Sequence, residues 1–206
     1  MKKLLLLIMF LSTGMVSAVL AQNMRTLFLE APDAVFPLLS KNCRADLVDF
    51  IEAGMKARVT NRLDGVSVLE ELDDDYLRLA MTGSSSMQLK LLPFDGDTVI
   101  CMVRSVKAEA VGSRVCFYDK EWSLLDGNGW FVLPLLKDFF VSAAAADEYG
   151  DMCDIYLVAL TLSPVDNTLV AEYTMPSYMS VEDAEKVKPL LRSIVYRWDG
   201  GCFVTE

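Results

Sequence analysis

The stretch that decides the fold is residues 66–106, VSVLEELDDDYLRLAMTGSSSMQLKLLPFDGDTVICMVRSV. Apolar residues tend to alternate with polar ones over four segments, which predicts strands at 66–72, 76–82, 86–94 and 98–106. The breaks at 73–75, 83–85 and 95–97 are rich in Asp, Gly and Ser, the residues that make turns. Short polar turns join antiparallel neighbours, so the stretch predicts an antiparallel meander.

Outward from this core, residues 113–119 extend the meander and a second strand group follows later in the chain. Its predicted strands lie at 155–163, 168–175, 193–198 and 202–204. Before the first meander, residues 44–59 place apolar side chains on one face and charged ones on the other, which indicates an amphipathic helix. Shorter helices are predicted at 133–141 and 181–191, and 143–151 has the composition of a linker.

These patterns predict an α+β fold in which an N-terminal amphipathic helix packs on antiparallel sheet formed by two successive strand meanders. Residues 22–206 are expected to form a single domain, with 22–142 and 143–206 as candidate subunits.

The first 21 residues have the features of a secretory signal peptide. Lys2 and Lys3 precede an apolar run, and Val19 and Ala21 supply the small residues that signal peptidase requires before Gln22. An uncleaved membrane anchor is the alternative. Cleavage predicts export to the periplasm, the cell exterior or the outer membrane, with no membrane-spanning segment afterwards.

Charge and composition exclude several functions. Without Lys2 and Lys3, 17 of the 19 basic residues would face 29 acidic ones, a net charge of −12. Such a surface repels phosphate backbones and anionic lipids, so nucleic acid is not an expected partner. The chain has no histidine, which removes Ser-His-Asp and Cys-His catalysis and the common zinc sites.

The five cysteines, Cys43, Cys101, Cys116, Cys153 and Cys202, are widely and irregularly spaced. An odd count in an oxidising compartment leaves at least one thiol free or in an intermolecular bridge. Buried free thiols are favoured over a disulfide framework. Cys101 and Cys116 are expected to be unbridged neighbours on adjacent strands.

No catalytic, metal or cofactor motif is recognised. The acidic cluster at 70–75 resembles a carboxylate pair or a calcium ligand set, but its place between two strands favours a solvated turn. The P-loop, dinucleotide-binding and nucleophile-elbow patterns are absent from the sequence.

Aromatic residues are concentrated in the predicted strands, where packing is the usual role. Trp122 and Trp198 lie beside charged residues and turns. They are therefore the expected exposed residues and the candidate ligand contacts.

Several segments resemble a family of uncharacterised exported proteins of the Bacteroidales that contain a domain of unknown function. The matching segments are 27–32, 44–49, 61–65, 90–93, 117–118 with Trp122, and 196–198. The resemblance implies export from a Gram-negative cell and brings no activity, cofactor or catalytic residue.

The sequence thus predicts a non-catalytic exported module that binds a protein or a glycan in the cell envelope. The alternative is a histidine-free hydrolase that uses a carboxylate pair, with glycosides as the candidate substrate class.

Overall fold

The computed structural model describes residues 23–206, so the predicted signal peptide at 1–21 lies outside the described residues. The helices are α1 (Met24–Glu30), α2 (Lys41–Glu52), α3 (Ala143–Tyr149) and α4 (Val181–Val187), and the strands are β1 (Arg58–Thr60), β2 (Val66–Leu72), β3 (Tyr76–Thr82), β4 (Ser85–Phe94), β5 (Asp97–Lys107), β6 (Val111–Tyr118), β7 (Val158–Leu162), β8 (Thr168–Tyr173), β9 (Ile194–Trp198) and β10 (Phe203–Thr205). Short 3₁₀ helices lie at Leu136–Phe139, Gly150–Met152, Met175–Tyr178 and Lys188–Leu190.

The strands form two antiparallel sheets, and the fold is α+β. Strands β1 to β6 form a six-stranded sheet in sequence order, and β7 to β10 form a four-stranded sheet, also in sequence order. Tight turns explain why strands that follow each other in the sequence are also neighbours in the sheet. At the β4–β5 turn, Asp95 and Gly96 both adopt positive φ, so Phe94 pairs directly with Asp97.

Two hydrophobic cores lie on opposite faces of the six-stranded sheet. The outer core contains α1 and α2 with residues such as Leu79 and Met102. The inner core joins Cys101 and Phe117 to Leu160 and Trp198 of the four-stranded sheet. Successive strand residues point to opposite faces, which explains why β5, apolar throughout 99–103, serves both cores.

The structure corrects three of the predicted elements. The helix predicted to reach residue 59 ends at Glu52, because Gly54 turns the chain with a φ of 69° and β1 begins at Arg58. The segment predicted as a linker at 143–151 contains α3, which Ser142 caps by accepting a hydrogen bond from Ala145 N. The predicted helix 133–141 is a 3₁₀ helix at Leu136–Phe139. Among the described residues, we find no helix long and apolar enough to cross a membrane.

Candidate functional site

Strand β6 is the last strand of the six-stranded sheet, and part of the edge that faces away from β5 is open. Leu125 N donates to Phe117 O over 2.9 Å, and Thr174 Oγ1 donates to Val111 O over 2.6 Å. Both carbonyls therefore point away from β5, and by alternation so do the backbone groups of Ser113 and Val115. Within residues 23–206, the N–H and C=O groups of Ser113 and Val115 have no backbone partner.

An apolar groove runs beside this open edge. Its cavity has a volume of about 370 Å³ and is lined by residues 113–117 of β6, by Leu160 of β7, and by a wall from the irregular segment that follows β6. The wall contributes Leu124, Leu125, Gly127, Asn128, Phe131 and Leu133. Leu124 is 68% exposed and Leu133 is 45% exposed, so the wall presents apolar side chains to solvent.

A glycine holds the wall against the sheet. A Cβ atom built on Gly127 would lie 2.6 Å from the ring of Phe117. Since such a contact is too short for carbon atoms, only glycine lets the wall approach the strand this closely. Trp130 N donates to Gly127 O at 2.9 Å and fixes the turn.

The groove carries a positive charge on its outer side. Arg114 is exposed and lies directly opposite Arg104 of β5. Arg104 Nη2 donates to Val35 O at 3.2 Å. Among the described residues, neither arginine forms an ion pair with a carboxylate. Like charges that face each other across a strand pair destabilise it, so this position favours a negatively charged neighbour.

The edge of β7, by contrast, is closed by side chains of the six-stranded sheet. Leu160 N donates to Ser113 Oγ at 3.0 Å, and Leu162 N donates to Gln88 Oε1 at 2.9 Å. The outward amides of Leu160 and Leu162 in β7 therefore have partners within the protein, whereas those of Ser113 and Val115 in β6 do not.

Trp122 does not occupy the exposed position predicted for it. It is 8% exposed, its ring meets Phe36 edge-on, and its Nε1 donates to Leu27 O at 3.2 Å. The charged residues before it form a tight turn in which Trp122 itself takes a φ of 65°. This turn folds the indole back onto α1, so the predicted exposure is wrong.

Trp198 is buried as well, at 5% exposure. Its Nε1 donates to Pro93 O at 2.7 Å, and its ring packs against Phe117 and Phe203. The indole thereby joins the two sheets. The prediction of an exposed anchor is wrong here too, because β9 turns this face toward the inner core.

The acidic cluster at 70–75 covers the end of β2 and the β2–β3 turn, and two of its carboxylates form ion pairs. Glu70 pairs with Arg78 at 2.8 Å, and Asp75 pairs with Lys90 at 2.9 Å. Asp73 N donates to Tyr76 O and closes the β2–β3 turn. Among residues 23–206, no group of acidic or cysteine side chains is arranged to hold a metal ion.

A second cavity, of about 540 Å³, contains two carboxylates, Asp138 and Glu206. Both are already bound within the protein. Asp138 Oδ2 accepts from Leu135 N at 2.8 Å, and Glu206 pairs with Arg197. These bonds hold chain segments in place. Because both carboxylates are occupied in this way, the cavity does not favour the hydrolase alternative.

The cysteines are free throughout the described part of the chain. Cys101 lies opposite Phe117, and Cys116 lies opposite Met102. Cys101 therefore faces the inner core, while Cys116 points to the other face of the same sheet. Burial raises the pKa of the Cys101 thiol, which favours its neutral form.

Sequence reasoning missed the groove residues. One signal was present: residues 130–136, WFVLPLL, are almost entirely apolar, yet they have neither helical nor strand periodicity. Such a run in the segment that follows the last strand of a meander is a candidate wall for an open sheet edge.

The fold and the groove define an α+β protein of two antiparallel sheets with an open sheet edge. The chain belongs to the family of proteins of unknown function DUF3256, whose model matches residues 16–203. The predicted domain of unknown function is confirmed, whereas export and restriction to the Bacteroidales stay predictions.

The fold is similar to the structure of a domain of an uncharacterized protein from Porphyromonas gingivalis W83. The TM-score is 0.75 with 24% sequence identity, over 90% of this chain and 98% of that chain. No curated protein matches the sequence.

Proposed function

We propose that this chain is an exported, non-catalytic binding module that takes up an extended segment of a protein partner along β6. The observation that supports the proposal best is the open backbone edge at Ser113 and Val115 beside an apolar groove. An extended peptide can add a strand to such an edge, with main-chain hydrogen bonds for affinity and side-chain pockets for specificity.

A protein segment suits this groove better than a glycan does. The lining is dominated by leucine and phenylalanine side chains, with Arg114 as its charged residue. The open polar groups are those of the backbone, which match another backbone in spacing.

Hydrogen exchange tests strand addition directly. The amides of Ser113 and Val115 should exchange rapidly in the free protein and become protected when a binding peptide is added. The amide of Arg114 provides an internal control, because it points toward β5 and should be protected in both states. Binding that leaves the exchange of Ser113 and Val115 unchanged would contradict strand addition.

The apolar wall gives a second test. Leu124→Lys should weaken peptide binding without lowering stability, because this side chain lines the groove and is 68% exposed. Val165→Lys is the matched control: its side chain is 88% exposed and lies in the β7–β8 turn, away from the groove. Equal effects of the two substitutions would show that the wall is not part of the binding surface.

The location proposed is the periplasm, the cell exterior or the outer membrane, and its support is the predicted signal peptide at 1–21. N-terminal sequencing of the protein from its native host should give Gln22 as the first residue. A retained Met1 in the exported fraction would contradict cleavage.

A further inference from the structure

The charge at the centre of the open edge restricts what can bind there. Arg114 lies between Ser113 and Val115, and its own backbone groups point toward β5. In an added antiparallel strand, the residue opposite Arg114 would belong to a non-hydrogen-bonded pair, in which side chains approach closely. Its neighbours on either side would face the apolar groove.

From this geometry we infer that the bound segment carries a carboxylate opposite Arg114, with an apolar residue on each side of it. The inference rests on the proposed strand addition. The carboxylate would complete a row across three strands, Arg104, Arg114 and the partner's acid, and so relieve the facing like charges.

The same arginine disfavours a second copy of this chain as the occupant. Two β6 strands that both use Ser113 and Val115 in antiparallel pairing would place Arg114 directly opposite Arg114 of the other copy. Two facing guanidinium groups repel, and charged side chains on an edge strand are a known protection against self-pairing. The edge therefore discourages self-association while it remains open to an acidic segment.

The test selects a random peptide library displayed on phage against the wild-type protein, Arg114→Glu and Arg58→Glu. Arg58 is the matched control, because it is exposed and lies on β1 at the opposite edge of the same sheet. The wild type and Arg58→Glu should enrich peptides with Asp or Glu between two apolar residues. Arg114→Glu should instead enrich Lys or Arg at that position.

Synthetic peptides then give the magnitude. Replacing the central Glu of a selected peptide by Gln should raise Kd for the wild type by about 1.5- to fivefold, the range of an exposed ion pair. Added salt should shrink this difference. Circular dichroism should show that all three proteins are folded.

The outcomes separate the two proposals. Enriched peptides without a charge preference that still protect Ser113 and Val115 from exchange would overturn the carboxylate and leave strand addition standing. Failure to enrich any peptide that protects these amides would overturn both. Wild-type dimers whose β6 amides are protected would make a second copy the occupant and overturn the inference.

Discussion

At the scale of single residues, a buried arginine organises the loop between α1 and α2. Arg44 is 1% exposed and donates to the carbonyls of Ala31 and Leu39 at 2.5 and 3.0 Å. Its charge is paired with Asp33 at 3.1 Å, and Arg62 reaches the other oxygen of the same carboxylate. The Nε of Arg44 is buried without a hydrogen-bond partner in the described residues. The carboxylate thus compensates a charge that would be costly to bury alone.

This arrangement predicts a pH-dependent contribution to stability. Hydrogen bonds from Arg62 and then Arg44 lower the pKa of Asp33 below its ordinary 3.8. A carboxylate whose pKa is lower in the folded state stabilises the fold above its unfolded pKa, and the contribution is lost as pH falls through the folded value. Asp33→Asn should therefore lower the urea midpoint at pH 7, and its difference from the wild type should shrink once the pH falls below 3.8.

Asp46→Asn is the control for this series, because Asp46 is exposed on α2 and has no ion pair among the described residues. Measuring both variants against the wild type cancels the acid sensitivity of the other carboxylates. A difference for Asp33→Asn that stays constant from pH 7 to well below 3.8 would show that the ion pairs contribute nothing.

Single residues are also where sequence prediction was weakest. The charged neighbours of Trp122 suggested exposure, but local polarity does not reveal a turn with positive φ that directs the indole inward. Trp198 lies on a strand with one buried face, and the sequence cannot show which sheet will cover that face. Side-chain environment depends on tertiary packing, which a pattern within one segment does not contain.

At the scale of elements, the strands of both meanders were predicted well because alternation and turn residues are local. Strands β2 and β3 match their predicted ranges, and β4 to β6 differ by one or two residues at their ends. Strand β1 was missed because Val59 also fits the helical spacing of the preceding helix. Whether an edge is open could not be predicted, since β7 is closed by Ser113 and Gln88, which are distant in sequence.

The closure of the β7 edge makes a quantitative prediction. Ser113 Oγ accepts from Leu160 N and also bonds Ser105 Oγ at 2.7 Å. Ser113→Ala would leave the buried Leu160 amide without an acceptor and should cost about 1–3 kcal/mol of unfolding free energy. Ser105→Ala retains that acceptor and should cost less, about 0.5–1.5 kcal/mol. Urea denaturation of both variants measures this difference, and equal losses would mean that the Leu160 bond does not stabilise the sheet contact.

At the scale of the whole molecule, polar contacts reinforce the inner core between the two sheets. Besides the Ser113 and Gln88 contacts, Lys90 Nζ donates to Pro164 O at 3.0 Å and Trp198 donates to Pro93 O. Lys90 is itself buried and paired with Asp75. Separation of the two sheets would break its bond to Pro164 and so disturb a buried charged group. The contacts favour one cooperative unit over separate subunits at 22–142 and 143–206.

The tryptophans offer a test of that cooperativity, because they report different cores. Trp122 lies in the outer core, whereas Trp198 and the half-buried Trp130 belong to the inner core. In Trp122→Phe, fluorescence should follow the inner core alone, and in the double variant Trp130→Phe, Trp198→Phe it should follow the outer core alone. If the sheets unfold together, the urea transition seen by fluorescence should coincide with that seen by far-ultraviolet circular dichroism within each variant. Comparison within a variant is needed because each substitution changes stability. An inner-core transition at lower urea than the circular dichroism transition would show instead that the four-stranded sheet separates first and that 143–206 is a unit of its own.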